Sequence, residues 1–244
     1  MRKIFLLLAL AAMPAYLDAA YALVSGTATA SSQQASGGTV LFNLLKPPGA
    51  GNIGLACLGS PAATTPQITA LSGGGFASTA VIGRSNTNSD TECWIGYNAS
   101  GSGGMQLAFS VTGSGFWRFR YSEWSGGPTS AAVDGSAVAS TGSGSSATIT
   151  TGNLTPTAAL AELVYAFEVN TANQTLSSGP TNSFVATATG GDGRAEAAYQ
   201  IVASTSGSYS TAWTFSTNTT ADALIFSLEA ATTAAHVVHR AISQ

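Results

Sequence analysis

The segment 93–110 aligns without a gap on 199–216 when the chain is shifted by 106 residues. Ile95 then falls on Ile201, Ser100-Gly101-Ser102 on Ser206-Gly207-Ser208, and Phe109-Ser110 on Phe215-Ser216. Glu123 and Glu229 each stand fourteen residues after their phenylalanine. With small gaps, Phe76 matches Phe184 and 53–58 matches 163–168, so Cys57 and Cys93 correspond to Phe167 and Tyr199. A repeat of this kind restricts the fold, because each unit can be unable to bury its apolar face alone. Two related halves, about 39–124 and 147–230, must either stack as two domains or merge into one sandwich. The length of 244 residues suits one sizeable core. The expectation is a single sandwich spanning 23–231, its halves related by a pseudo-twofold axis, followed by a C-terminal tail over 232–244.

The runs inside each half are short, β-rich and bounded by Gly, Ser, Asn and Pro, which is a strand-and-turn pattern. Strands are expected at 39–45, 53–58, 76–83, 92–97, 105–112 and 116–124, and at 147–151, 161–169, 184–189, 195–203, 211–216 and 223–230. Trp117, Phe119 and Tyr121 alternate with Arg118, Arg120 and Ser122, which reads as a strand with one aromatic and one polar face. Asp134-Gly135 and Asp192-Gly193 suit tight turns. The stretch 126–146, rich in Gly, Ser and Ala, reads as a long connection. The fold class expected is an all-β, two-sheet antiparallel sandwich, jelly-roll-like, with about ten to twelve strands.

Composition narrows the function. Charged residues make up 8% of the chain, and 31 Ser and 30 Thr supply a quarter of it. A formal charge of -3 excludes a nucleic-acid binder, which needs a basic patch. Lys and Glu are too scarce for a coiled coil. Arg2 and Lys3 followed by the apolar run 4–13, Pro14 and Ala20-Tyr21-Ala22 form the three regions of a secretory signal peptide over 1–22, with cleavage expected after Ala22. The apolar run is too short for an ordinary span, so no stable membrane insertion is expected after cleavage. The expected location is secreted, periplasmic or cell-surface. Export permits a disulfide between Cys57 and Cys93, each of which lies in an apolar run.

Gly51-Asn52-Ile53-Gly54-Leu55-Ala56, Trp94-Ile95-Gly96-Tyr97, Tyr121-Ser122-Glu123-Trp124-Ser125-Gly126, Ala198-Tyr199-Gln200-Ile201-Val202 and Thr211-Ala212-Trp213-Thr214-Phe215-Ser216 are informative together. They resemble the GN-LLVA, WYA, AEYSG and YQIV strands, and the closing pair, of a group of β-sandwich modules. That group occurs in exported bacterial proteins and phage structural proteins. The resemblance covers about 40–231 and implies a jelly-roll-like sandwich. It brings no catalytic motif.

No catalytic residues are expected. The histidines, His236 and His239, stand in the tail, where a base is poorly held against a nucleophile. Glu123, Glu162, Glu168, Glu196 and Glu229 are carboxylate candidates for a glycoside hydrolase, but none are paired on one strand at the required separation. Asn86, Asn88, Asp90 and Glu92 alternate along one loop and offer oxygen ligands that would suit Ca²⁺. Trp94 and Trp213 read as core residues. Trp124, beside Ser125-Gly126-Gly127, reads as the exposed ring of a ligand surface, with Glu123 next to it and Arg118 and Arg120 available to a partner. The expected function is surface binding or adhesion by an exported, non-catalytic sandwich, with a glycan or protein partner and a possible homo-oligomer. The alternative is a virion structural protein, as a capsid decoration or tail-associated module; a glycoside hydrolase comes third.

Overall fold

The computed structural model describes residues 21–24, 29–60, 68–85, 90–130, 133–157, 162–170, 176–187, 195–202 and 207–230, with 29–36, 137–145 and 176–177 described by backbone alone. All regular structure among them is β. The strands of the first half are β1 (Ala22–Leu23), β2 (Thr29–Asn43), β3 (Ile53–Ser60), β4 (Ile68–Gly73), β5 (Ser78–Ser85), β6 (Asp90–Tyr97) and β7 (Gln106–Ser125). Those of the second are β8 (Val133–Thr150), β9 (Glu162–Asn170), β10 (Leu176–Ser178), β11 (Val185–Ala186), β12 (Ala195–Val202) and β13 (Ala212–Glu229).

Each half forms its own antiparallel sheet, and the two sheets share one topology. The first runs β1-β7-β3-β6-β5, with β2 and β4 also pairing β7. The second runs β10-β13-β9-β12-β11, with β8 also pairing β13. The six strands β2–β7 therefore correspond in order and partners to β8–β13, and β1 is the one addition. The 106-residue register places β6 on β12 and β7 on β13, so the repeat in the sequence is a repeat of the sheet.

Side-chain alternation sorts the apolar residues into three cores. Odd positions of β3, β6 and β9 (Ile53, Leu55, Cys57, Cys93, Ile95, Tyr97, Leu163, Tyr165, Phe167) meet Trp124, Leu224, Phe226 and Leu228 between the sheets. The opposite face of the first sheet folds over itself. The early part of β7 (Leu107, Phe109, Val111), with Val40, Phe42 and Leu71, closes on Ala56, Leu58, Trp117, Phe119 and Tyr121. The second sheet does the same around Ile149, Val164, Ala166, Phe184, Trp213, Phe215 and Ile225. The molecule is a two-sheet sandwich whose outer faces carry their own cores.

The sequence reading omits β1, β4 and β10, starts β2 ten residues late, and differs again at β7 and β8. The expected strands 105–112 and 116–124 are one strand, β7, because β2 runs alongside without a break in pairing from Phe116↔Gln34 to Ser114↔Ser36. Most of the stretch read as a connection is strand: β8 begins in it, runs on through the expected strand at 147–151, and pairs β13 from Leu228↔Val133 to Ala212↔Thr150. Small Ser, Gly and Ala side chains carry no strand signal, yet a long partner supplies their hydrogen bonds. Asp134-Gly135 consequently lies inside β8 rather than in a turn, and the Asp134 carboxylate accepts from the backbone N–H of Thr157 and from its hydroxyl. Asp192-Gly193, His236 and His239 lie outside the described residues.

Cys57 and Cys93 are directly opposed across β3 and β6 and form a disulfide. Closing a loop of 36 residues stabilises the fold by about 4 kcal/mol in the chain-entropy account. Intact-mass analysis of alkylated protein is expected to show no modified thiol without reductant and two with it. Modification of both thiols in the unreduced protein would contradict the bridge.

The N-terminal strand bears on processing. β1 pairs β7 at Ala22↔Ser125 and Leu23↔Trp124. Tyr21 is only 3% exposed, packs in the inter-sheet core, and donates its hydroxyl to the carbonyl of Glu229 at 2.6 Å. Cleavage after Ala22 would remove this side chain from the core and leave Leu23, paired with Trp124, as the first residue.

Candidate functional site

The residues proposed as a ligand surface are interior. Trp124 is fully buried, with its ring centroid 4.7 Å from that of Tyr199 and 6.5 Å from that of Tyr165 in the other sheet. Its Nε1 donates to Ser122 Oγ at 2.8 Å. The reading of Trp124 as an exposed ring is therefore corrected. Over 118–124 the even positions of β7 face the second sheet, while Trp117, Phe119 and Tyr121 face the first-half core, so the polar residues of this alternation are buried. For the same reason Arg118 and Arg120 are not solvated strand residues. Arg120 donates through Nη2 to the carbonyl of Ala195 in β12. The Arg118 guanidinium lies 4.0 Å from the centroid of the Phe116 ring and donates to the Phe116 carbonyl at 3.2 Å. Glu123 is also buried, and its Oε1 accepts from Gly49 N at 2.7 Å and Asn52 Nδ2 at 2.5 Å. It fastens the turn before β3, where it is closed to a ligand.

The calcium reading fares no better. Asn86 and Asn88 lie outside the described residues, and Asp90 and Glu92 are buried in β6. Glu92 pairs with Arg84 Nε at 2.9 Å and accepts from Ile68 N and Trp94 Nε1, both at 3.2 Å. Its oxygens are occupied by protein donors, as a buried carboxylate requires. Among the described residues no group of three or more His, Cys, Asp or Glu side chains stands together as a metal site. Burial, with Glu92 beside it, pushes the Asp90 carboxyl up to about 8 against the opposing pull of Arg84.

Pairing in the second sheet brings acids together that the sequence left apart. Glu162 stands opposite Glu229, and Glu168 opposite Glu196. Glu162 is raised to about 7 chiefly by burial, and Glu196 to about 7 by burial against the attraction of Arg120.

An open site occurs where the two halves diverge. In the first half the turn after β4 is Gly73-Gly74-Gly75-Phe76, with φ of 65° at Gly74 and 72° at Gly75. It packs directly on the 100–105 loop: a Cβ on Gly75 would stand 2.6 Å from the Cα of Gly103. The Phe76 ring lies over Gly54 and Gly96, where a Cβ would meet it at 2.4 Å. In the second half the two paired positions that match these glycines are held by Glu162 and Val202, so Phe184 cannot take the same seat. The turn itself is longer. Gly73 approaches the carbonyl of Gln106 and Gly179 that of Ala212, and these carbonyls correspond in the repeat. Two residues separate Gly73 from Phe76, but four separate Gly179 from Phe184, the addition being Pro180-Thr181. Asn182 (φ 57°) and Ser183 (φ 66°) keep the left-handed backbone of Gly74 and Gly75 without being glycine. Such positions cost of order 1–3 kcal/mol each and cluster at ligand sites.

The longer turn leaves a cavity of about 250 Å³ lined by Asn182, Phe184, Gln200, Ser208, Tyr209 and Ser210. Its base is fixed by threonines. Thr181 N donates to Thr211 Oγ1 and Ala212 N to Thr181 Oγ1, both at 3.0 Å, and Thr211 N donates to Thr151 Oγ1 at 3.0 Å. Asn182 Nδ2 bridges to the Ser210 carbonyl at 2.8 Å. Tyr209 replaces Gly103 of the first half and is held by paired backbone bonds with Leu154, at 2.7 and 2.9 Å. A Cβ on Gly207 would stand 3.3 Å from the Tyr209 hydroxyl, so the ring leans across that glycine. Sequence reasoning missed these residues. The signal was present in the repeat as glycine in one half and Asn, Ser and Tyr in the other.

A comparison with protein-family models, curated proteins and solved structures gives no significant match.

Proposed function

We propose that this chain is an exported, non-catalytic β-sandwich protein that works by binding at a surface. The N-terminal segment supports export through its basic, apolar and small-residue regions. The observation that carries the binding role is the second-half cavity. It is built from a strained turn that the otherwise equivalent first half closes with glycine. A duplicated unit that kept only a scaffold role would have no need of non-glycine residues at those backbone angles. The cavity lining carries neutral hydrogen-bonding groups and two rings but no carboxylate, imidazole or thiol, which suits recognition rather than bond cleavage.

Mass spectrometry of cell fractions and of purified particles tests this reading. A processed chain outside the cytoplasm, retained on washed cell surfaces, is the expected result. An intact Met1 confined to purified virions would replace it with the virion structural role.

A further inference from the structure

We infer that the cavity between the 182–184 turn and the 208–210 segment is a saccharide site that takes one neutral sugar ring; this rests on the surface-binding reading above. Three properties of the lining point there. A sugar presents an apolar C–H face and a rim of hydroxyls, and the cavity combines the Tyr209 and Phe184 rings with the amides of Asn182 and Gln200 and the hydroxyls of Ser208 and Ser210. None of the six lining residues is charged, so the cavity offers no side-chain cation to a phosphate or carboxylate ligand. Its volume of about 250 Å³ lies just below the usual range for drug-sized ligands, roughly 300–1,000 Å³, and so suits a single ring rather than a buried chain.

The polar groups are also held in place before a ligand arrives. The Asn182 amide is oriented by its bond to the Ser210 carbonyl, and the turn that carries it is pinned through Thr181 to Thr211. Tyr209 is clamped to Leu154 on both sides of its backbone. Preorganised donors and rings reduce the ordering cost of binding, which is where a small ligand otherwise loses affinity. The first half contributes no equivalent site. Gly75 and Gly103 are in backbone contact there, and Trp94, at the position matching Gln200, turns its Nε1 to Glu92.

The test is a titration of the full exported chain, followed by ¹H–¹⁵N NMR, with glucose, galactose, mannose and N-acetylglucosamine in turn. At least one sugar is expected to give saturable shifts in the side-chain amides of Asn182 and Gln200 and in the backbone of Gly207. Tyr209→Ala is expected to weaken that sugar about tenfold or more, as loss of a central ring does at a binding hot spot. Because Tyr209 also packs on the second-half core, Ser208→Trp serves as the second variant. Residue 208 is exposed, so this variant should fill the cavity, abolish the shifts and keep the melting temperature. No shift at these residues with any of the four sugars, or shifts that survive Ser208→Trp, would overturn the assignment. If Ser208→Trp is retained on washed cells as strongly as the unaltered chain, the saccharide site fails while surface binding stands. If the unaltered chain is not retained at all, the surface-binding reading itself fails.

Discussion

Replacing Trp124 by alanine is expected to destabilise the protein by about 3–5 kcal/mol, the range for removing a large ring from a packed core. Trp124 is fully buried between the sheets, touches Tyr165 and Tyr199 of the opposite half, and is covered by the β1–β7 pairing at Leu23. Its indole N–H bonds Ser122 Oγ, which lies 3.2 Å from the Tyr165 hydroxyl, so the substitution also breaks a chain of polar contacts between the halves. Denaturant unfolding should show a lower midpoint with little change in slope. An exposed ligand-stacking ring would instead cost little on removal, so a loss below about 1 kcal/mol would contradict the burial.

The second large effect is on pH dependence. The Asp90, Glu162 and Glu196 carboxyls are raised from 3.8, 4.5 and 4.5 to about 8, 7 and 7, in each case mainly by burial. Between pH 4.5 and 8 the folded chain therefore holds protons that the unfolded chain has released. The unfolded state binds fewer protons over this window, so unfolding free energy falls as pH rises. Thermal melts should show the highest transition near the acidic end and a decline of several degrees by pH 8. Groups close to these acids set the shape of the curve: Glu92, Arg84 and Asp222 around Asp90, Asp134 and Glu229 around Glu162, and Arg120 around Glu196. Asp90→Asn, which mimics the protonated form, should flatten the upper part of the decline. A melting temperature that climbs steadily from pH 4.5 to 8 would show that these carboxyls are ionised in the folded protein.

Much of the architecture was legible because the repeat and the two-residue alternation are backbone-level signals. Ile53–Ser60, Asp90–Tyr97 and Glu162–Asn170 lie close to the apolar runs that announce them. The part of β8 over 133–146 was illegible because its small side chains carry no hydrophobic period, and its pairing with β13 alone makes it a strand. The environment of Trp117–Trp124 was half legible. Alternation separated Phe119 from Arg120 correctly, but one strand cannot reveal that a second sheet covers the polar side. The candidate site was hidden for a related reason. Asn182, Gln200 and Tyr209 are far apart along the chain, and their meaning appears only when each is set against its first-half counterpart in space.

Two copies of one six-strand unit share an interior that neither can dispense with. Each half has a core of its own, but separation would bare Ile53, Leu55, Ile95, Tyr97 and Trp124 on one fragment and Leu163, Tyr165, Phe167, Leu224 and Phe226 on the other. The direct measurement is to express 21–130 and 133–230 separately and together, and to record mass and thermal melting of each. Neither fragment alone should be a monomer with a cooperative melt, and the pair should recover one as a one-to-one complex. A lone monomeric fragment that melts cooperatively would contradict the shared core and leave two independent domains.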